Sequence, residues 1–178
     1  MERNGFANRF ERLVGFAVQA LAIAGLGLLT AIAIAIVVDV LLRFGFSIPI
    51  EGLSEVIALV SAVTIASFFP MSLKLGGHAK IRFLGHAFGP KAEKWLETFG
   101  DLLAVLFFAA LTWQFARYTI ELGQSGERTW ILQLAPGPWW WVVTVLFGVS
   151  TLVQAGLLYL RVIRPAPVDA PVEQTLGV

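Results

Sequence analysis

The chain has 178 residues, of which 57% are hydrophobic and only 14% are charged, and its formal net charge is +1. This composition is too apolar for an ordinary soluble domain of that length, and the near-neutral charge gives no reason to expect a nucleic-acid partner. Because cysteine is absent, disulfides, thiolate metal sites and cysteine nucleophiles are excluded.

Four long apolar segments predict an all-α integral membrane protein with four transmembrane helices. Uncharged runs cover residues 13–38, 56–73, 102–116 and 138–160. About 20 apolar residues cross the hydrocarbon core as a helix, so the first and last runs are long enough alone, and the middle two gain length from adjoining residues. The first run exceeds the ~7–15 residues of a signal-peptide core, which favours a retained signal anchor.

The basic residues predict the orientation of these spans. If the spans alternate in direction, ten lysines and arginines lie on one side and three on the other. Because basic loops stay cytoplasmic, both termini are predicted to be in the cytoplasm. The expected organisation is a cytoplasmic N-terminal segment over 1–12, a membrane domain over 13–164 and a disordered, proline-rich cytoplasmic tail over 165–178.

The turn between the first two spans predicts a charged cluster at the outer corner. Asp39 and Arg43 are four residues apart and share a helix face, with Arg43 near the negative end of the helix dipole. Glu51 and Glu55 open the second helix, and we expect Arg43 to contact one of them. The contact either clamps the two helices together or takes a direct part in partner docking or transport.

The remaining connections predict interfacial structure. Pro70 is expected to kink or end the second helix. Residues 74–97 interleave basic and aromatic side chains, which suits a segment in the headgroup zone, and a long third helix is expected from Lys91 to about Leu122. Tryptophans near the span ends predict an interfacial belt, which is favoured over an aromatic ligand cage; its members are Trp95, Trp130, Trp139, Trp140 and Trp141.

No arrangement of residues predicts catalysis or cofactor binding. The middle of each span lacks ionisable residues, which transport sites usually need. His78 and His86 both fall in the cytoplasmic connection, whereas a bis-histidine haem needs facing histidines inside the membrane. We therefore expect no enzyme activity, no cofactor and no metal site.

Small residues at four-residue spacing predict close helix packing. One stripe lies in the first span and the other in the second; their members are Gly27, Ala31 and Ala35, and Ala58, Ala62 and Ala66. The stripes serve packing within the bundle or the binding of a large helical partner. The chain therefore has the features of an accessory or scaffold subunit.

Three stretches, at residues 39–55, 69–84 and 134–139, resemble the small membrane subunit, of the DctQ type, of tripartite ATP-independent periplasmic (TRAP) transporters. The resemblance implies sodium-coupled, binding-protein-dependent uptake of an organic acid across the bacterial inner membrane. It also implies that this chain is a scaffold beside a large elevator-type DctM subunit, which would carry the substrate and sodium, and that an extracytoplasmic solute-binding protein delivers the substrate. On this resemblance, the residues expected at the cytoplasmic partner interface are His78, Lys80 and Arg82.

A second interpretation comes from a different class of function. A stand-alone four-helix membrane protein, either a homo-oligomeric small transporter or the membrane anchor of an enzyme, would have the same spans. The genes beside this one would separate the two interpretations. A large permease with a secreted binding protein favours the first, and a dehydrogenase favours the second.

Overall fold

The computed structural model describes residues 2–76 and 90–163, and the secondary-structure elements in these two ranges are all helices. They are α1 (Glu2–Phe46), α2 (Leu53–Gly76), α3 (Pro90–Ser125) and α4 (Gly137–Ile163). Each helix contains a segment long and apolar enough to cross a membrane. The predicted fold class is confirmed to that extent. Of the interfacial segment expected over residues 74–97, residues 74–76 belong to α2 and residues 90–97 to α3. Its remaining residues, 77–89, and the tail over 165–178 lie outside the described residues.

α1 and α3 are longer than a bilayer span requires. α1 has 45 residues and α3 has 36, which correspond to about 68 Å and 54 Å of helix. α1 continues past the charged pair at its predicted exit and ends only before Ser47, whose φ of 58° is left-handed. α2 also continues beyond Pro70 to Gly76, so the proline does not end this helix.

The helices are arranged in a row. α1 packs on α2, α2 packs on α4, and α4 packs on α3, so the spatial order is α1, α2, α4, α3. The core lies where the last three meet, and its buried residues are Ala66, Phe108, Val143, Leu146 and Phe147. Stacked aromatic rings extend this core along the α3–α4 interface. α1 and α3 therefore form the two ends of the row, each with a single large helix contact.

The contact between α1 and α2 is a narrow seam. Val18, Gly25 and Asp39 are the buried residues of the described α1 side chains, and they are separated by multiples of seven residues. This spacing places them on one line along a helix that follows its neighbour at a small crossing angle. At Gly25 the two helices pack closely, because the hydroxyl of Ser67 occupies the space that a Cβ would fill.

Candidate partner interface

The carboxylate of Asp39 organises the C-terminal end of α1, at the corner predicted to be the outer one. Its Oδ2 accepts a hydrogen bond from Nη2 of Arg43 at 3.0 Å, and its Oδ1 accepts one from the backbone N–H of Ile50 at 2.7 Å. The Asp39 side chain is only 11% exposed, whereas that of Arg43 is 66% exposed. Asp39 therefore ties the α1–α2 connection to the helix, and Arg43 neutralises it from the solvent side.

Glu55, at the same corner, binds the loop between α3 and α4. Its two carboxylate oxygens accept hydrogen bonds from the backbone N–H groups of Ile131 and Leu132, at 2.8 and 3.0 Å. The Leu132 side chain also lies against Gly52, where φ is +75° and a Cβ would overlap it. Glu55 thus fastens the α3–α4 loop to the α1–α2 turn, and the two connections on this side form one unit.

The expected contact between Arg43 and Glu51 or Glu55 is therefore wrong. Arg43 pairs within its own helix, because Asp39 lies one turn away on the same face. Each carboxylate oxygen of Glu55 accepts a hydrogen bond from a backbone N–H of the loop. Glu51 is exposed in the turn. The structure joins Asp39 and Arg43 as one pair, whereas Glu55 binds the α3–α4 loop.

The two small-residue stripes differ in their surroundings. Ala66 is buried in the core and Ala62 packs against it, whereas Ala58 is exposed. In α1, Gly27 and Ala31 are exposed, and a Cβ at Gly27 would have no neighbouring atom within 4 Å. Ala35 is half-buried. The α1–α2 seam therefore uses Gly25, and Gly27 and Ala31 of the predicted α1 stripe face away from the bundle.

The predicted tryptophan belt is distributed over the start of α3, the α3–α4 loop and the start of α4. Trp95 is exposed near the start of α3 and stacks on Phe99 with ring centroids 5.8 Å apart. Trp130 is 93% exposed at the tip of the α3–α4 loop. At the start of α4, Trp139 and Trp140 are half-buried and Trp141 is exposed. Exposed indoles at both span ends agree with interfacial anchoring.

Hydrogen bonds between polar side chains join α3 to α4, and the sequence interpretation missed them. Their members are Asp101 with Gln154 at 3.1 Å, Thr112 with Thr151 at 3.1 Å, and Thr119 with Thr144 at 3.2 Å. Asp101 is a buried member of this set. The sequence does contain a signal for these bonds. The polar residues are eleven and seven positions apart in α3 and seven and three apart in α4, and that spacing keeps them near one helix face.

The described surface is mainly apolar in the middle of the spans. Among the described residues, no group of three or more His, Asp or Glu side chains could hold a metal ion. Large apolar side chains instead cover the free sides of α1 and α3, with Leu26 58% and Phe107 59% exposed. The expected cytoplasmic contact residues His78, Lys80 and Arg82 lie outside the described residues. The described site is thus a set of helix faces with a tightly fastened outer corner.

These features define a multi-pass helical membrane protein. A family model described as "Tripartite ATP-independent periplasmic transporters, DctQ component" matches residues 32–164. The match covers most of the chain and includes the outer corner, α2, α3 and α4. The chain therefore belongs to the DctQ family and is a small permease subunit of a TRAP transporter. No curated protein and no solved structure matches it.

Proposed function

We propose that this chain is the non-catalytic scaffold subunit of a sodium-coupled TRAP transporter in the bacterial inner membrane, with both termini in the cytoplasm. Its principal partner is a large DctM-type subunit that moves the substrate. An extracytoplasmic solute-binding protein delivers an organic acid to the assembled pair. This subunit holds the large one at a constant position in the bilayer during transport.

The observation that carries the proposal is the open-ended row of helices. α2 and α4 are the inner helices, whereas α1 and α3 each make one large helix contact. The free side of α1 in the middle of its span and that of α3 before Gln114 are apolar, with Ile34 and Leu106 as exposed as Leu26 and Phe107. A row presents much more side surface to a neighbouring protein than a closed bundle of the same four helices would.

The distribution of charge supports a role without transport chemistry of its own. The uncharged runs in the middle of the four spans contain no group that could bind sodium through a carboxylate or carry a proton. The hydroxyls of Thr64, Thr112 and Ser150 at this depth each donate to a carbonyl of their own helix. Substrate and ion binding are therefore assigned to the large subunit.

The rigidity of the outer corner supports a static role. Asp39 and Glu55 each accept hydrogen bonds from backbone N–H groups of a connection, and these bonds join distant parts of the chain. A connection held by backbone hydrogen bonds moves little when a neighbouring domain moves past it. The corner thus suits a subunit that stays fixed while its partner changes position.

Site-specific photocrosslinking in membranes tests the proposal. A benzophenone amino acid replaces Leu26 on α1 or Phe107 on α3, and the buried residue Leu146 serves as the matched control position. With the large subunit coexpressed, we expect a crosslink to that polypeptide from at least one free face and none from the control. Crosslinks only to lipid, or only to a second copy of this chain, would contradict the scaffold role and favour a stand-alone protein.

Transport measurements complete the test. Proteoliposomes that contain this chain alone are expected to accumulate no organic acid, whereas those containing both membrane subunits and the binding protein accumulate it when a sodium gradient is applied. Uptake by this chain alone would contradict the assignment. A reporter active only in the periplasm, fused after Val178, should be inactive if the C-terminus is cytoplasmic.

A further inference from the structure

The outer half of α3 carries a polar stripe that the scaffold role does not use. Its members are exposed and separated by three or four residues: Gln114, Arg117, Glu121 and Gln124. At 3.6 residues per turn they fall within about 80° of one another. The side that packs on α4, which includes Phe108 and Thr119, is opposite. The stripe therefore faces away from the rest of the chain.

Contacts with the tryptophans of α4 indicate the depth of this stripe. Trp140 stacks on Phe115 with ring centroids 5.6 Å apart, and Tyr118 meets the same indole edge-on at 5.3 Å. Tryptophans at a span end lie at the boundary between hydrocarbon and headgroups. Arg117 is therefore at that boundary, and Glu121 is about 6 Å farther out. The headgroup layer is roughly 5–7 Å thick on each side, so both charges fall within it.

The Arg117–Glu121 pair is poorly suited to stabilising the helix. Nη2 and Oε1 are 3.6 Å apart, too far for a hydrogen bond, and the side chains are 61% and 65% exposed. An arginine placed before a glutamate is the weaker order for a pair four residues apart, and a glutamate near the negative end of the helix dipole is unfavourable. Helix stability therefore does not account for the arrangement.

We propose that this face binds a phospholipid whose headgroup carries a phosphate and a primary ammonium, as phosphatidylethanolamine does. The guanidinium of Arg117 donates to the phosphate oxygens, and the carboxylate of Glu121 accepts from the ammonium, which lies farther from the bilayer centre. The order of the two protein charges along the membrane normal matches the order of the two headgroup charges. Trp113, 70% exposed and one turn below Arg117, lies beside the glycerol and upper acyl region.

The sign of the charges discriminates between lipid classes. A phosphatidylglycerol headgroup has a phosphate for Arg117 but only neutral hydroxyl groups for Glu121, so it lacks the second ion pair. A phosphatidylcholine headgroup has a cation but no N–H to donate. A primary ammonium supplies both the charge and the hydrogen bonds, so phosphatidylethanolamine is the headgroup that satisfies both side chains.

Native mass spectrometry of the full chain in mild detergent tests the site. The protein is equilibrated with equimolar phosphatidylethanolamine and phosphatidylglycerol, and the lipid adducts are counted. The decisive variant is the double substitution R117E/E121R, which keeps the composition, the net charge and the four-residue pair while reversing its order. Because the reversed order is the better one for an isolated helix, the variant is expected to fold.

The wild-type chain should retain phosphatidylethanolamine in preference to phosphatidylglycerol by about tenfold, a difference of ~1.4 kcal/mol, and the swapped variant should lose that preference. Equal retention of the two lipids by the wild type would overturn the proposal. An unchanged preference in the swapped variant would also overturn it, because the lipid would then bind elsewhere. A photocrosslinker at Gln114 that captures only a polypeptide in native membranes would assign the face to a protein partner instead.

Discussion

The close packing at Gly25 predicts that a larger residue there destabilises the contact between α1 and α2. Gly27, two residues away and outside that contact, is the control position. A methyl group at Gly25 would overlap Oγ of Ser67 and lie 3.3 Å from both Cβ of Ser67 and Cζ of Phe68. The same methyl group at Gly27 meets no neighbouring atom within 4 Å. Gly25→Ala and Gly27→Ala therefore add the same atoms to the same helix, once in the seam and once outside it.

The expected magnitude follows from the contacts. Overpacking a well-packed site costs roughly 1–3 kcal/mol. Moving the Ser67 hydroxyl aside breaks its 2.7 Å hydrogen bond to the carbonyl of Thr64, which contributes about 0.5–1.5 kcal/mol. The gain in helix propensity on replacing glycine by alanine, up to ~1 kcal/mol, is common to both variants and cancels. Gly25→Ala should therefore be about 3 kcal/mol less stable than Gly27→Ala.

The measurement is the equilibrium separation of α1 from α2 in detergent mixtures of increasing dodecyl sulfate content. Because the chain has no cysteine, two can be introduced at exposed positions, Ile23 on α1 and Ile65 on α2, for a fluorescence energy-transfer pair. Gly25→Ala should reduce the stability of the paired state, and G25A/S67A should recover part of the loss because the overlapping hydroxyl is gone. Equal stabilities of the two alanine variants, within about 0.5 kcal/mol, would contradict the close packing of Gly25 against Ser67.

Three further predictions concern polar groups. Asp39→Ala should destabilise the fold more than Arg43→Ala in thermal unfolding, because the buried carboxylate also holds a backbone N–H, whereas an exposed ion pair contributes only ~0–1 kcal/mol; equal effects would contradict this. Glu55→Gln should accelerate hydrogen exchange at the two loop amides that it binds, and unchanged exchange would show that the loop is held by other contacts. Asp101→Leu should destabilise by about 1–3 kcal/mol, because it leaves the buried amide of Gln154 without its acceptor; Asp101→Asn, which keeps an oxygen there, should be milder.

Much of the molecule follows from sequence because a bilayer imposes a simple requirement. Backbone polar groups cannot stay unpaired in hydrocarbon, so each uncharged run of sufficient length becomes a helix. The four spans and the long third helix were therefore predictable from residue order, and three short stretches carried the family resemblance. The proximity of Asp39 and Arg43 was also predictable, since residues four apart share one helix face.

Only the tertiary structure decided which helix faces meet and which groups pair. In an almost uniformly apolar helix such as α1, hydrophobicity does not distinguish the packed side from the lipid side, so Gly27 and Gly25 look equivalent until Ser67 is seen against one of them. Glu55 could have paired with Arg43 by proximity alone. It binds loop backbone nearly eighty positions later in the chain instead, because packing α4 between α2 and α3 brings that loop to the corner. Local sequence specifies the spans, whereas the pairing of side chains depends on contacts between residues far apart in the chain.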